Sequence, residues 1–126
     1  MRAQYRKKTG VILIEVITAI FLMGLMLAML AVSLDGYARF NDWLLTRQRC
    51  TAAAEAQLDS IAATGECLND ETMKRLWPKV RISIEKSAGA GQWKGLELVT
   101  VNAEAKSRRK MVHLQLSRYF LPRQEQ

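Results

Sequence analysis

The chain has 126 residues, of which 49% are hydrophobic and 25% charged, and its formal net charge is +7. Once a ten-residue leader and an apolar segment are set aside, about 92 residues remain, which is enough for one small core and too few for a large two-lobed catalytic cleft. Arg2, Arg6, Lys7 and Lys8 supply +4 of the charge with no acid among them, so the excess of bases does not by itself indicate nucleic acid binding.

An apolar segment follows the leader and runs from Val11 to Leu34, with Glu15 as its only charged residue. As a helix these 24 residues are about 36 Å long, enough to cross a hydrocarbon core of about 30 Å. Bases beside a membrane segment stay on the cytoplasmic side. We therefore predict a single-pass membrane protein with residues 1–10 in the cytoplasm and the C-terminal domain in the periplasm or its equivalent.

A cleaved secretory signal is the alternative interpretation of this segment. Such signals have an apolar region of about 7–15 residues that ends at a site of small residues. The apolar run here is longer, and residues 33–37 contain no clear site of that kind. The pattern favours a retained anchor.

Helical periodicity continues beyond the membrane segment. Between residues 40 and 62 the apolar residues recur on one broad face at 100° per residue. Thr64-Gly65 supplies a stop signal. We predict one helix from Val11 to Thr64, of which residues 35–64 are an extramembrane amphipathic half. The predicted packing face contains Phe40, Trp43, Leu44, Cys50, Ala54, Leu58, Ile61 and Ala62, and the polar side contains Asp42, Gln48, Arg49, Glu55 and Asp59.

After Pro78 the period changes to two, which is typical of strands. Apolar residues alternate in three segments, near residues 80–85, 96–101 and 112–117, and the second is apolar on much of both faces, as a central strand would be. Short connections predict an antiparallel meander, and its apolar face needs a cover. We predict an α+β fold in which residues 65–126 form a small three-stranded sheet domain packed by the amphipathic half of the helix.

The segments around the strands contain no catalytic or metal-binding pattern. Asp70–Trp77 is predicted to form a short helical turn and Ser87–Gly91 a loop. His113 is the single histidine and falls on the polar side of its strand, so no triad or zinc set can be assembled around it. The basic run Lys106–Lys110 has no aromatic residue within it and is predicted to be a solvated turn, with DNA, anionic lipid or an acidic protein as alternative partners.

Cys50 and Cys67 would both lie in an oxidising compartment, which favours a disulfide. If the helix is unbroken to Thr64, Cys50 lies about 21 Å from its end. Three further residues reach back only about 10 Å, whereas bonded cysteines lie about 5.5 Å apart between Cα atoms. The bond therefore requires the helix to end by about Ser60, and free thiols are the alternative.

The N-terminal residues resemble the type IV pilin-like proteins, the prepilins and pseudopilins. In that family a short basic leader ends in glycine, an apolar residue follows, and glutamate is the fifth residue of the mature chain. Gly10, Val11 and Glu15 match those positions. The resemblance implies cleavage after Gly10 by the inner-membrane prepilin peptidase and N-methylation of Val11. It also implies that Glu15 neutralises the N-terminal amine of a neighbouring subunit during filament assembly.

Within the family the chain is most similar in size and layout to the minor pseudopilins of type II secretion, particularly the I-type subunit. Val32 occupies the 22nd mature position, where many major pilins have proline, and no aspartate follows Asp70, whereas major pseudopilins have an aspartate-rich calcium loop. The resemblance implies a non-enzymatic inner-membrane subunit without cofactor or metal. Its implied partners are major and minor pseudopilins, the prepilin peptidase, the assembly platform and membrane lipid, with nucleic acid disfavoured.

Two other functions remain open at this stage. A minor type IV pilin or a competence pseudopilin has the same N-terminal pattern. A single-pass anchored binding module that forms no filament would need the membrane segment and the sheet domain but no processing at Gly10.

Overall fold

A computed structural model of the chain describes residues 2–123, with side chains from Gly10 to Arg123. It confirms the predicted α+β fold: one long N-terminal helix packs on an antiparallel sheet of three strands in the order β1-β2-β3. The chain divides into two compact units, Met1–Arg39 and Phe40–Gln126. The elements are α1 (Arg2–Thr64), α2 (Asp70–Leu76), β1 (Val80–Ala88), a 3₁₀ turn (Gly91–Trp93), β2 (Glu97–Lys106) and β3 (Met111–Phe120).

Helix α1 ends at Thr64, as predicted from the sequence. Gly65 adopts a left-handed conformation with φ of 78° and its amide donates to the carbonyl oxygen of Ile61 at 2.9 Å, which closes the last turn. The Arg123 guanidinium donates to the Thr64 carbonyl oxygen at 2.7 Å. The start differs from the prediction, because the helix begins at Arg2 and not at Val11. The leader contains no proline and consists largely of good helix formers, so the backbone has no reason to break there.

The core lies between the second half of α1 and one face of the sheet. Residues 99, 101, 103 and 105 of β2 point towards the helix and are at most 4% exposed. The edge strands complete this face with Val112 of β3, which is buried, and with half-buried side chains of β1. This confirms that the helix covers the apolar face of the sheet and that β2 is central. The buried helix residues are Thr46, Cys50, Ala53, Ala54, Gln57, Leu58 and Ile61.

The predicted packing face of α1 was too broad at its two ends. Phe40 and Ala62 are exposed, and Trp43 and Leu44 are only half-buried. The buried residues of α1 instead run from Thr46 to Ile61, and Ala53 and Ala54 in the middle of this range are fully buried.

Strand β1 continues through Ser87 to Ala88, where the sequence predicted a loop. Backbone pairing with β2 extends the strand, since Ala88 lies opposite Glu97. Gly89 then begins the connection and its amide donates to the Leu96 carbonyl oxygen at 2.7 Å. A Cβ atom at Gly89 would lie 2.3 Å from the carbonyl oxygen of Trp93, so this close approach requires glycine.

Candidate functional site

The apolar segment of α1 is exposed around its whole circumference. From Val11 to Leu34 every residue is exposed, and the large apolar side chains range from 44% exposed at Leu25 to 75% at Val32. The helix from Gly10 to Thr64 contains an 18-residue window with mean hydropathy of 2.6, and by length and composition it could cross a membrane. None of this window is buried in the described chain, so the segment is not the core helix of a globular domain.

Glu15 lies on this exposed apolar surface, four residues after Val11 and therefore on the same side of the helix. Among the side chains described from Gly10 to Arg123, no ion pair includes Glu15. The nearby Thr18 hydroxyl donates to the Ile14 carbonyl oxygen at 2.8 Å and so has a partner within the helix. Glu15 is thus the one ionisable side chain that the segment presents to its surroundings.

Gly10 has no structural reason to be glycine in this fold. It lies within α1, its φ is not positive, and a Cβ atom added there would meet nothing within 4 Å. A glycine within a helix costs about 1 kcal/mol relative to alanine. The side chains of leader residues 1–9 lie outside the described residues.

Asp42 connects α1 to the turn between β2 and β3, although the sequence placed it on the solvent side of the helix. Its carboxylate accepts hydrogen bonds from the Ser107 hydroxyl at 2.8 Å and the Arg108 amide at 3.2 Å. These two bonds, assisted by the charges of Arg108 and Arg49, lower the pKa of Asp42. No local pattern links residues 42 and 107, which are 65 positions apart.

The two cysteines are free thiols, so the disulfide that the sequence left open does not form in this structure. Cys50 is fully buried against the sheet, whereas Cys67 is exposed in the loop after α1. The helix continues past Ser60 to Thr64. The reach of the chain is therefore too short, as the sequence geometry indicated.

The remaining sequence-based interpretations concern the sheet. His113 lies on the polar face of β3, and its Nδ1 is 3.0 Å from Oε1 of Glu104. Within the described residues, no group of three His, Cys, Asp or Glu side chains could hold a metal ion. The basic turn 107–110 connects β2 to β3 and its bases are exposed.

No protein family, curated protein or solved structure matches this chain. The candidate functional site is therefore defined by its own residues: Gly10, Val11, Glu15 and the exposed apolar helix that carries them.

Proposed function

We propose that the chain is a minor pseudopilin, a non-enzymatic structural subunit of a type II secretion pseudopilus. The observation that carries this proposal is Glu15, an ionisable residue four positions after Val11 on a helix segment that nothing in the described chain covers. The sheet domain on the second half of α1 is the part that would face outward from the filament.

The first step of the proposed function is cleavage between Gly10 and Val11 by a prepilin peptidase in the inner membrane. A peptidase must approach the backbone closely at the residue before the scissile bond, and glycine permits this. The fold gives no other reason for glycine at this position. Cleavage removes the basic leader and leaves a new amine at Val11, the proposed site of N-methylation.

The second step is filament assembly through α1. A carboxylate in hydrocarbon is costly and is usually functional. An unpaired amine at Val11 would be similarly costly, and pairing it with Glu15 of a neighbouring subunit offsets both desolvation penalties. Because the pair forms only at one relative height of the two helices, it would also fix the register of assembly.

Co-expression of the full chain with a prepilin peptidase tests the first step. N-terminal sequencing and intact mass are expected to show loss of residues 1–10 and a new N-terminus at Val11. Gly10→Ala is expected to block processing. Gly24→Ala is the matched control, because Gly24 also lies in α1 with open space at its Cβ position. An intact leader in the parent chain, or unchanged processing of Gly10→Ala, would refute the proposal.

Glu15→Gln tests the second step in cells that assemble a pseudopilus. The variant is expected to be processed and retained in the membrane but absent from sheared filaments. Glu55→Gln, an exposed glutamate in the other half of α1, is expected to enter filaments normally. Normal incorporation of Glu15→Gln would exclude the register role, whereas absence of the parent chain itself from sheared filaments would favour an anchored module that forms no filament.

A further inference from the structure

The turn between β2 and β3 concentrates positive charge at one end of the sheet. Lys106 ends β2, and Arg108, Arg109 and Lys110 follow in the turn, all of them exposed. We call these four residues the basic tip. No ion pair among the described side chains includes any of them. The exposed side chain of Met111 adjoins the tip at the start of β3.

The basic tip is fixed to helix α1 and is not a freely moving loop. The Ser107 amide donates to the Lys110 carbonyl oxygen at 2.9 Å, which closes the turn. The Ser107 hydroxyl and the Arg108 amide both donate to Asp42, and Ser107 is only 7% exposed. The Asp42 carboxylate thus accepts its hydrogen bonds from a hydroxyl and a backbone amide. The side chains of the four bases are exposed to solvent.

Aromatic residues lie on the helix beside Asp42. Phe40 and Trp43 are stacked with ring centroids 6.1 Å apart, and the Arg47 guanidinium lies 5.4 Å from the centroid of the Trp43 ring. Phe40 is 56% exposed. Tryptophan and basic side chains are both common at the boundary between lipid and water, where the ring sits at the headgroups and the basic side chains reach the phosphates.

Sequence distance places this region near the membrane surface. Asp42 follows Leu34, the last residue of the apolar segment, by eight residues, which corresponds to about 12 Å in a helix. The polar headgroup layer on each side of a bilayer is about 5–7 Å thick, and charges interact over a further distance of about 8 Å at physiological ionic strength. The chain that joins the apolar segment to Asp42 is therefore short enough for the bases of the tip to reach the phosphates.

We propose that the basic tip binds the anionic phospholipid headgroups of the membrane in which the apolar segment is anchored. The contact would hold the sheet domain against the membrane surface. This inference rests on the membrane anchoring in the proposed function and not on processing or filament assembly. Each juxtamembrane base strengthens the attraction to an anionic lipid surface about fivefold, so three or four suffice to hold a domain that is already tethered.

The full chain in lipid nanodiscs provides the test. In a Cys67→Ser background, a fluorophore is attached through Met111→Cys, beside the tip, or through Ala88→Cys, at the opposite end of the sheet. Headgroup-attached nitroxide lipids report contact by quenching. Discs of phosphatidylcholine alone are compared with discs that also contain phosphatidylglycerol.

The label at Met111 is expected to be quenched in the anionic discs at low salt, and quenching should fall in phosphatidylcholine or at high salt. Replacing Arg108, Arg109 and Lys110 by Gln is expected to weaken the contact about fivefold per base, on the order of a hundredfold in all. The matched control replaces Lys74, Arg75 and Lys94, which are exposed bases outside the tip, and should leave quenching unchanged. The label at Ala88 should stay unquenched throughout.

Equal quenching at both positions, or quenching that survives removal of the three bases, would overturn the inference. So would binding of an oligonucleotide to the tip in phosphatidylcholine discs without lipid contact in anionic discs, which would identify the tip as a nucleic acid site. If the chain fails to enter the discs, the anchoring fails together with the proposed function. Normal insertion without quenching at Met111 refutes the lipid contact alone.

Discussion

The two halves of helix α1 are both rich in apolar residues, yet only the second half packs on other residues that the structure describes. Between Cys50 and Ile61 the buried residues recur every three or four positions and pack on the sheet. From Val11 to Leu34 apolar side chains surround the helix and all are exposed. The pattern of apolar residues thus identifies the missing partner: a stripe needs one flat surface, whereas a fully apolar circumference needs lipid or several other helices.

Replacing one leucine by alanine in each half of α1 should give the largest difference in the free energy of unfolding. Leu58→Ala, at a residue 3% exposed, should destabilise the sheet domain by about 2–5 kcal/mol because it removes buried contacts and leaves a cavity. Leu22→Ala, at a residue 50% exposed, should change the free energy of unfolding by less than about 0.5 kcal/mol. Denaturant unfolding of the full chain in detergent, followed by tryptophan fluorescence, measures both. Similar losses would show that the apolar segment contributes to the domain's stability.

Introducing a charge should affect the first half of α1 more than the second, and the property affected should be membrane insertion. Leu22→Lys places a cation near the middle of the apolar segment and should disfavour membrane insertion by about 3 kcal/mol. Leu45→Lys, at an exposed position in the other half, should leave insertion unchanged. Flotation of membranes after expression separates inserted from free chains. Equal insertion of both variants would contradict a spanning role for residues 11–34.

Local patterns in the sequence were sufficient to predict the fold. The end of α1 at Thr64 followed from Gly65, and the central position of β2 followed from its two apolar faces. Contacts between distant residues were not predictable, because periodicity carries no information on which pairs meet. Asp42 shows this clearly: its helical position indicated solvent, but Ser107 and the Arg108 amide meet it across the fold.

The candidate site is predictable from sequence only as a motif. Gly10, Val11 and Glu15 have no partner among the described residues that could reveal their role, because the proposed partners, a peptidase and a neighbouring subunit, would be separate molecules. Their roles in processing and assembly stay predictions until those partners are present. The fold itself does not explain why residue 10 is glycine, because Gly10 has neither a close packing contact nor a positive φ.

Removing the Asp42 contact should reduce the stability of the fold by a smaller amount, and this loss of stability should depend on pH. The pKa of Asp42 is lowered in the folded chain by the Ser107 and Arg108 hydrogen bonds, and its unfolded value is about 3.9. The contact therefore stabilises the fold above that value, and the stabilisation is lost as pH falls through the lower folded pKa. Asp42→Asn should be less stable than the parent chain at neutral pH and converge with it in strong acid.

Denaturant unfolding across this pH range measures the convergence. Ser107→Ala removes one donor and should shift the pKa of Asp42 back towards its ordinary value, with a partial loss of stability at neutral pH. Asp59→Asn is the control, because the Asp59 carboxylate pairs with Arg118 at 3.1 Å but both side chains are more than half exposed. A stability difference between Asp42→Asn and the parent that persists below both pKa values would show that packing, and not ionisation, is responsible.

The least perturbing comparison uses the two thiols as reporters of the packed half of α1. Cys67 is exposed and should react with a maleimide within the native chain, whereas Cys50 is buried and desolvation raises its pKa, so less thiolate is present to react. Mass spectrometry should show one modification at Cys67 under native conditions and a second at Cys50 only when the domain unfolds. Leu58→Ala should accelerate labelling of Cys50 and Leu22→Ala should not, because only the first loosens the contact that covers the thiol. Equal acceleration by both variants would mean that the apolar segment also protects Cys50, and the division of α1 into one half that packs on the sheet and one that does not would have to be withdrawn.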